Sequence, residues 1–292
     1  MSEAARGHLA MLAFSALVAG SFSLGALAAN QIAPAALNAV RFFIAGCVIG
    51  TGALATGRLG RTTLAAPWRY AVLGGLFATY FVLMFEGLKT ASPVSSAAVF
   101  TLTPAMSALF GWLLLRQIVT LRMALALAIG AVGALWVIFR ADLSALLAFR
   151  IGPGERIFLL GCTAHALYTP LVRRLNRGEP AMAFSFGMMV AAFLVLLAFG
   201  WNDIRATRWS SLPPIVWVTI AYTALAASAL TFVLLQFATL RLPAAKVMAY
   251  TYLTPGWVIL WEIALGHAMV PMLVLAGVAL SALALWMLLK DG

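Results

Sequence analysis

Ten apolar runs of about 18 to 25 residues, parted by short breaks that carry charge, proline or glycine, fill almost all of this 292-residue chain. Each run, as a helix, is long enough to cross a hydrocarbon core of about 30 Å. In lipid a backbone N–H or C=O finds no water, so a spanning run closes its own hydrogen bonds as a helix. The runs lie near 9 to 29, 34 to 56, 68 to 88, 92 to 115, 122 to 139, 155 to 173, 180 to 200, 213 to 238, 243 to 264 and 270 to 289. Composition agrees: 64% of residues are apolar and 9% charged, against about half and about a quarter in soluble domains. The expected fold is all-α and integral to the membrane, with ten transmembrane helices. Arg6, the apolar run from Leu9 and the small residues Ala26 to Ala29 resemble a cleavable signal peptide. Nine further spans follow, so the first is expected to be retained.

The 19 Lys and Arg against 8 Asp and Glu give a net charge of +11. The positive residues sit mostly in short loops, often without aromatic interleaving, which fits a cytoplasmic-loop excess and not a nucleic-acid surface. With the N-terminus inside, Arg6, Arg58, Arg61, Arg69, Arg116, Arg122, Arg173, Arg174, Arg177, Arg241 and Lys290 are cytoplasmic. Lys89, Arg140, Arg150, Arg156, Arg205 and Arg208 are then outside, so both termini are expected to be cytoplasmic, in a bacterial inner membrane. Cys47 and Cys162 lie in separate apolar runs and define neither a disulfide framework nor a zinc site.

The fourth and ninth runs match each other. Ser92-Pro93 through Phe100-Thr101-Leu102-Thr103-Pro104 parallels Leu242-Pro243 through Tyr250-Thr251-Tyr252-Leu253-Thr254-Pro255, with one extra residue near Tyr252. Five runs per half is an odd number, so the second copy enters the membrane from the opposite side. Two inverted five-helix repeats follow, over 9–139 and 155–289, joined by Arg140 to Gly154. Inverted repeats with a site between them near the midplane are a transporter design.

Four stretches in this order resemble the drug/metabolite transporter superfamily, specifically its EamA-type proteins. They are Gly20-Ser21-Phe22 with Arg41, Gly74-Gly75 with Tyr80 and Phe85, Leu102-Thr103-Pro104, and the twin Leu253-Thr254-Pro255. Within the superfamily the chain looks most like the bacterial amino-acid exporters of the YddG kind. The resemblance implies alternating access and a small-molecule substrate. Where such proteins often carry a Gly-Glu pair after spans four and nine, this chain has Arg116-Gln117 and Gly266-His267, so no role of that acid is carried over.

Candidate substrate-binding residues are polar or aromatic groups at cavity depth: Tyr80, Ser95, Thr103, His165, Tyr168, Tyr222, Lys246, Tyr250 and Trp257. His165 is the ionisable residue nearest the middle of a span, where such groups are expensive and are functional candidates by default. A neutral imidazole satisfied by a hydroxyl or carbonyl is the competing account. Lys246, Tyr250, Thr254, Trp257 and Trp261 recur every three or four residues and share one face, which fits a cavity wall or plain packing. Lys246 lies one turn from the inner end, where it either serves the cavity or snorkels. Pro104 and Pro255 each remove a backbone hydrogen bond inside a span and are the candidate hinges, with a static kink as the alternative. Arg41 enters two turns below the outer surface; Glu86 is at compatible depth, and a structural clamp between them is expected ahead of a substrate site.

The leading function is secondary transport, exporting small neutral or aromatic amino acids or related metabolites. A multidrug or other metabolite exporter is the alternative, ahead of a channel or an intramembrane enzyme. No Walker sequence is present for ATP, paired intramembrane aspartates and metal-ligand spacings are absent, and no cofactor is expected. The carboxylates Glu86 and Glu262 are peripheral, which disfavours lipophilic cations as cargo. The partners are thus a small-molecule substrate and the lipid bilayer, with no nucleic acid; the oligomeric state is left open.

The topology is open to a direct check by cysteine labelling from outside. A cysteine at Ser144 is modified and one at Arg177 is spared; the reverse pattern overturns the orientation.

Overall fold

The structure, a computed structural model, describes residues 2–60, 65–148, 150–239, 241–242, 244–267 and 270–289, with the side chains of 236, 239 and 244–246 outside that set. Every regular element among the described residues is helical. The helices are α1 (Glu3–Ala28), α2 (Pro34–Ala55), α3 (Trp68–Gly87), α4 (Pro93–Phe100), α5 (Thr103–Leu115), α6 (Leu121–Ile138) and the short α7 (Leu143–Leu147). Then come α8 (Pro153–Leu175), α9 (Ala181–Phe199), α10 (Trp201–Ala206), α11 (Pro214–Ala224), α12 (Thr231–Thr239), α13 (Ala244–Ala249), α14 (Thr254–Ala264) and α15 (Met272–Leu289).

Eight helices among the described residues are long and apolar enough to cross a membrane, counting Pro93–Leu115 and Pro214–Leu235 as one each. Helix also occupies the other two expected intervals. In α8 the ends carry Glu155, Arg156, Arg173 and Arg174, and the ninth interval is divided between α13 and α14. Large apolar side chains such as Leu54, Leu121, Leu160, Leu194 and Trp286 face outward, as a lipid-facing surface requires.

Three interruptions shape the bundle. Between α4 and α5, Thr101 and Leu102 leave the helix; a 3-10 turn over Tyr250–Leu253 separates α13 from α14; and a π-helical turn, Leu225–Leu230, joins α11 to α12. Pro104 and Pro255 sit in the first turn of α5 and α14. That departs from the sequence expectation of prolines inside continuous spans: in a first turn the missing N–H removes no intrahelical bond, so the break lies in the residues just before each proline.

Helix packing is paired. α6 lies along α15, α3 along α8, α2 along α9, and α1 against α11, α12 and α14. Exchanging each half for the other turns the α3 and α8 contact into that of the eighth run with α1, and the α5 and α8 contact into that of α14 with α1; both are present. The α6 and α15 seam is tight because two glycines face each other. A Cβ on Gly133 meets the Gly277 carbonyl oxygen at 2.6 Å, and a Cβ on Gly277 meets that of Gly133 at 2.6 Å. Trp136 Nε1 donates to the Leu273 carbonyl across the same seam at 2.8 Å.

At the start of α3, Arg69 is 1% exposed and fully engaged. It donates to the carbonyls of Ala65, Ala66 and Leu175 and to Glu179 Oε1. Glu179 Oε2 also accepts from the Arg177 backbone N–H at 2.7 Å. Burial pushes the Glu179 carboxyl up, but its hydrogen bonds from Arg69 and the Arg177 backbone outweigh that and hold it below the usual carboxylate range. A carboxylate with a depressed folded pKa stabilises above its unfolded value of about 4.3 and loses that contribution as pH falls through the folded one. Glu179→Ala is expected to destabilise by about 3 to 5 kcal/mol at neutral pH, because it leaves Arg69 buried and unpaired. In thermal melts of the detergent-solubilised protein, the gap between parent and Glu179→Ala narrows only below about pH 4.3.

Candidate functional site

Of the residues singled out, Tyr80, His165 and Tyr168 come together around an aromatic cluster. Tyr80 on α3 is buried, with its ring centroid 4.6 Å from His165 on α8, 4.6 Å from Phe81, 5.8 Å from Phe158 and 6.0 Å from Phe100 on α4. His165 packs on Phe100 at 5.8 Å and on Tyr168 at 5.9 Å. It is half-buried, and its Nδ1 has no hydrogen-bond partner among the described residues. The Tyr168 hydroxyl meets Met188 Sδ at 2.9 Å, and its ring lies 5.3 Å from Phe77. Phe22 of α1 closes the cluster, 5.9 Å from both Phe100 and Phe158. Phe100 is the last residue of α4, so the helix break sits at the wall of this cluster.

A second group gathers along α1. Tyr250 Oη and His8 Nδ1 are 2.9 Å apart, and Trp257 Nε1 donates to Ser15 Oγ at 3.0 Å. Seven residues separate each pair on both sides, so α1 and the ninth run are parallel and in register despite the 3-10 turn. The Tyr222 hydroxyl donates to the Leu17 carbonyl at 2.8 Å, with its ring 5.6 Å from that of Trp261. Tyr222 lies across Gly20, where a Cβ would come 2.3 Å from the phenol oxygen; only glycine admits the ring there.

Two candidates are placed elsewhere. Ser95 Oγ donates to Glu155 Oε1 at 2.8 Å in a buried bond between α4 and α8. Thr103, at the start of α5, is buried beside the Cys162 thiol. Lys246 lies on α13, and its side chain is outside the described residues. Two open crevices of about 300 and 330 Å³ lie at opposite ends of α1, one lined by Ala5, His8, Leu9, Leu12 and Tyr250, the other by Ala29 to Ala33 and Lys89.

The expected pairing of Arg41 with Glu86 does not form. Glu86 binds Lys89 one turn on, at 2.7 Å, in a half-exposed pair. Arg41 turns instead toward the π-helical turn: Nε donates to Ser228 Oγ at 3.0 Å and Nη2 reaches the Ala227 carbonyl at 3.5 Å. Its guanidinium carbon lies 3.7 Å from the centre of the Phe81 ring. Depth along the helix axis matched Arg41 to Glu86, but the two side chains take different directions from their helices. Glu155, Phe81 and Phe158 also escaped the sequence reading; for Glu155 the available signal was an acid just inside an apolar run.

With this geometry in view, the comparisons are decisive for the family. The EamA-like transporter family profile matches residues 5–139 and again 152–290. The chain belongs to the EamA-like transporter family. Membership in this family identifies a multi-pass membrane protein with two repeats, and the family and relative names point to a transporter and away from an enzyme. An uncharacterized transporter of Bacillus subtilis (strain 168), YyaM, is 26% identical over 267 residues, covering 89% of this EamA-family chain and 86% of that protein. A protein of known crystal structure shares the fold with a TM-score of 0.70 at 20% identity, over 98% of this chain and 97% of that one.

The Ser95 to Glu155 bond predicts a stability effect. Ser95→Ala leaves a buried carboxylate short of one donor and is expected to cost about 1 to 3 kcal/mol, read as a lowered melting temperature in detergent; Ser95→Thr, which keeps the hydroxyl, recovers most of the loss.

Proposed function

We propose that this EamA-family protein is a secondary transporter of ten spans in two inverted five-helix repeats, which exports small neutral or aromatic amino acids, or related metabolites, by alternating access. In this reading it lies in a bacterial inner membrane with both termini cytoplasmic, and it is most like the exporters of the YddG kind. The observation that carries the proposal is the aromatic cluster of Tyr80, Phe100, Phe158, His165 and Tyr168, built on helices of both halves at the break between α4 and α5. Aromatic faces suit an apolar side chain, and His165 Nδ1, without a partner among the described residues, offers one polar contact to a bound molecule.

The inverted repeat draws support from direction. α1 and the ninth run are parallel, as the pairs His8 with Tyr250 and Ser15 with Trp257 require. Three reversals after α1, the fourth run points the other way, so it is antiparallel to its sequence twin. Pro104 and Pro255 then act as hinges whose flanking turns, Thr101–Leu102 and Tyr250–Leu253, have already given up regular helix. Tyr222, Tyr250 and Trp257 line the α1 side of the path, Ser95 and Thr103 flank the fourth-run break, and Lys246 stands toward the inner end.

Cationic drugs fit less well. Glu86, Glu262 and the buried Glu155 are each engaged, with Lys89, His267 and Ser95 respectively. A lipophilic cation gains from a carboxylate in the path, whereas a zwitterion does not need one. Counterflow of radiolabelled amino acids in proteoliposomes tests the reading. Exchange of neutral and aromatic amino acids is expected with or without a pH gradient, and Tyr80→Ala lowers it about tenfold or more, the loss of an aromatic anchor being worth more than about 1.4 kcal/mol. Uptake of a lipophilic cation with no amino-acid exchange overturns it.

A further inference from the structure

Among the described residues Arg41 and Arg69 are wholly enclosed, and they are satisfied very differently. Arg69 has an acid and three carbonyls. Arg41, at 0% exposure, has one hydroxyl, one long carbonyl contact and an aromatic face, no acid among the described residues, and an Nη1 with no partner at all among them. It lies two turns into α2, within the membrane-spanning interval. A buried charge without a counter-charge is strongly unfavourable, and breaking a buried pair is worse than replacing it by apolar residues. Packing alone gives no reason to keep such a group.

Its surroundings satisfy the cation only in part and leave one edge of the guanidinium without a partner among the described residues. The π-helical turn Leu225–Leu230 presents Ser228 and the Ala227 carbonyl to the guanidinium on one side, and π turns inside α-helices occur often at functional sites. Phe81 covers one face of the guanidinium, fixing the plane in which its free N–H groups point. Phe81 in turn stacks on Tyr80, and Tyr80 on His165, so Arg41 forms the cationic end of a continuous row that ends in the half-buried imidazole.

We propose that Arg41 receives the carboxylate of the transported molecule, with Nη1 as its first donor and Ser228 orienting the guanidinium. The inference rests on the exporter reading and deepens it to a substrate class: monocarboxylates with an apolar or aromatic body, amino acids among them. The bound carboxylate supplies the missing counter-charge, and the aromatic row from Phe81 to Tyr80 receives the body. Arg, and not Lys, suits this place because its planar fork grips a carboxylate with two parallel bonds.

The test uses the full chain in proteoliposomes with L-phenylalanine and L-phenylalaninamide, which differ in the carboxylate alone. The parent is expected to exchange the acid about tenfold or more faster than the amide. Arg41→Gln collapses that preference, and Arg41→Lys restores part of it. A second measurement keeps the question decidable if Arg41→Gln does not fold: in the parent, 3-phenylpropionate inhibits exchange and 3-phenylpropionamide does not. Equal exchange of acid and amide, or a preference unchanged in monodisperse Arg41→Gln, overturns the carboxylate site and leaves the exporter reading standing. Absence of exchange with any amino acid in the parent overturns both. Repeating the assay with methanesulfonate in place of chloride separates the sources of the anion: a preference that vanishes without chloride assigns Arg41 to an inorganic anion and overturns the proposal, and one that persists supports it.

Discussion

Backbone groups in hydrocarbon must be bonded within their own segment, and every other feature of this fold works around that demand. A helix meets it automatically, whereas an interruption frees N–H and C=O groups that only surrounding protein can shelter. Most of the interrupted backbone here is sheltered: Thr101, Thr103, Thr251, Tyr252 and Ser228 are buried, and the π-helical turn shows the solvent or lipid only Leu225 and Leu230 at its ends among its large side chains. Concentrating broken backbone at the centre also concentrates polar atoms there, since Thr101, Thr231 and Thr251 each return their hydroxyl to a carbonyl three residues back. The constraint that forbids irregular chain at the lipid surface thus places it where a polar solute would travel.

The seams between helices divide into those that hold and those that yield. α6 and α15 meet through facing glycines and a Trp136 bond, with each glycine's absent side chain replaced by the other's carbonyl. Such an interface has no slack, because small residues allow dispersion contact over the whole crossing. α1 has a different character. It touches Phe100 and Phe158 through one ring, Phe22, and its polar ties are single hydrogen bonds to Thr219, Tyr222, Tyr250 and Trp257 with an ion pair from Glu3 to Arg241. Single hydrogen bonds of this kind are each worth about 1 kcal/mol, and their partners can be exchanged as a helix tilts.

Much of the architecture was legible from periodic hydrophobicity and paired prolines, because helix formation in lipid is a local decision. The two twin motifs located both helix breaks, and the depth of His165 placed it at the level of Tyr80. Site partners were less legible. The hydroxyl of Ser228 lies 187 residues from the arginine it binds, and no periodicity in either segment announces that contact. The π-helical turn was invisible for a related reason: Leu225–Leu230 reads as ordinary apolar helix, and its extra residue is fixed by what packs against it. Ser95 likewise read as a cavity hydroxyl until Glu155 was found beside it, and Lys246 falls where the side chain is not described.

The proposed alternation between two openings asks for an element that reaches both ends of the path and whose polar bonds can be exchanged. α1 is 26 residues long, and the two open crevices lie at its opposite ends, beside His8 and beside Asn30. Its flank toward the ninth run is a ladder in parallel register, with both pairs N-terminal to Gly20. Gly20 lies between the two ladder pairs and the Phe22 contact, and the Tyr222 ring crosses the helix at that glycine. In the proposed alternation the close approach of Tyr222 at Gly20 would be the pivot of α1, with the His8 crevice and both ladder pairs on one side of it and the Asn30 crevice on the other.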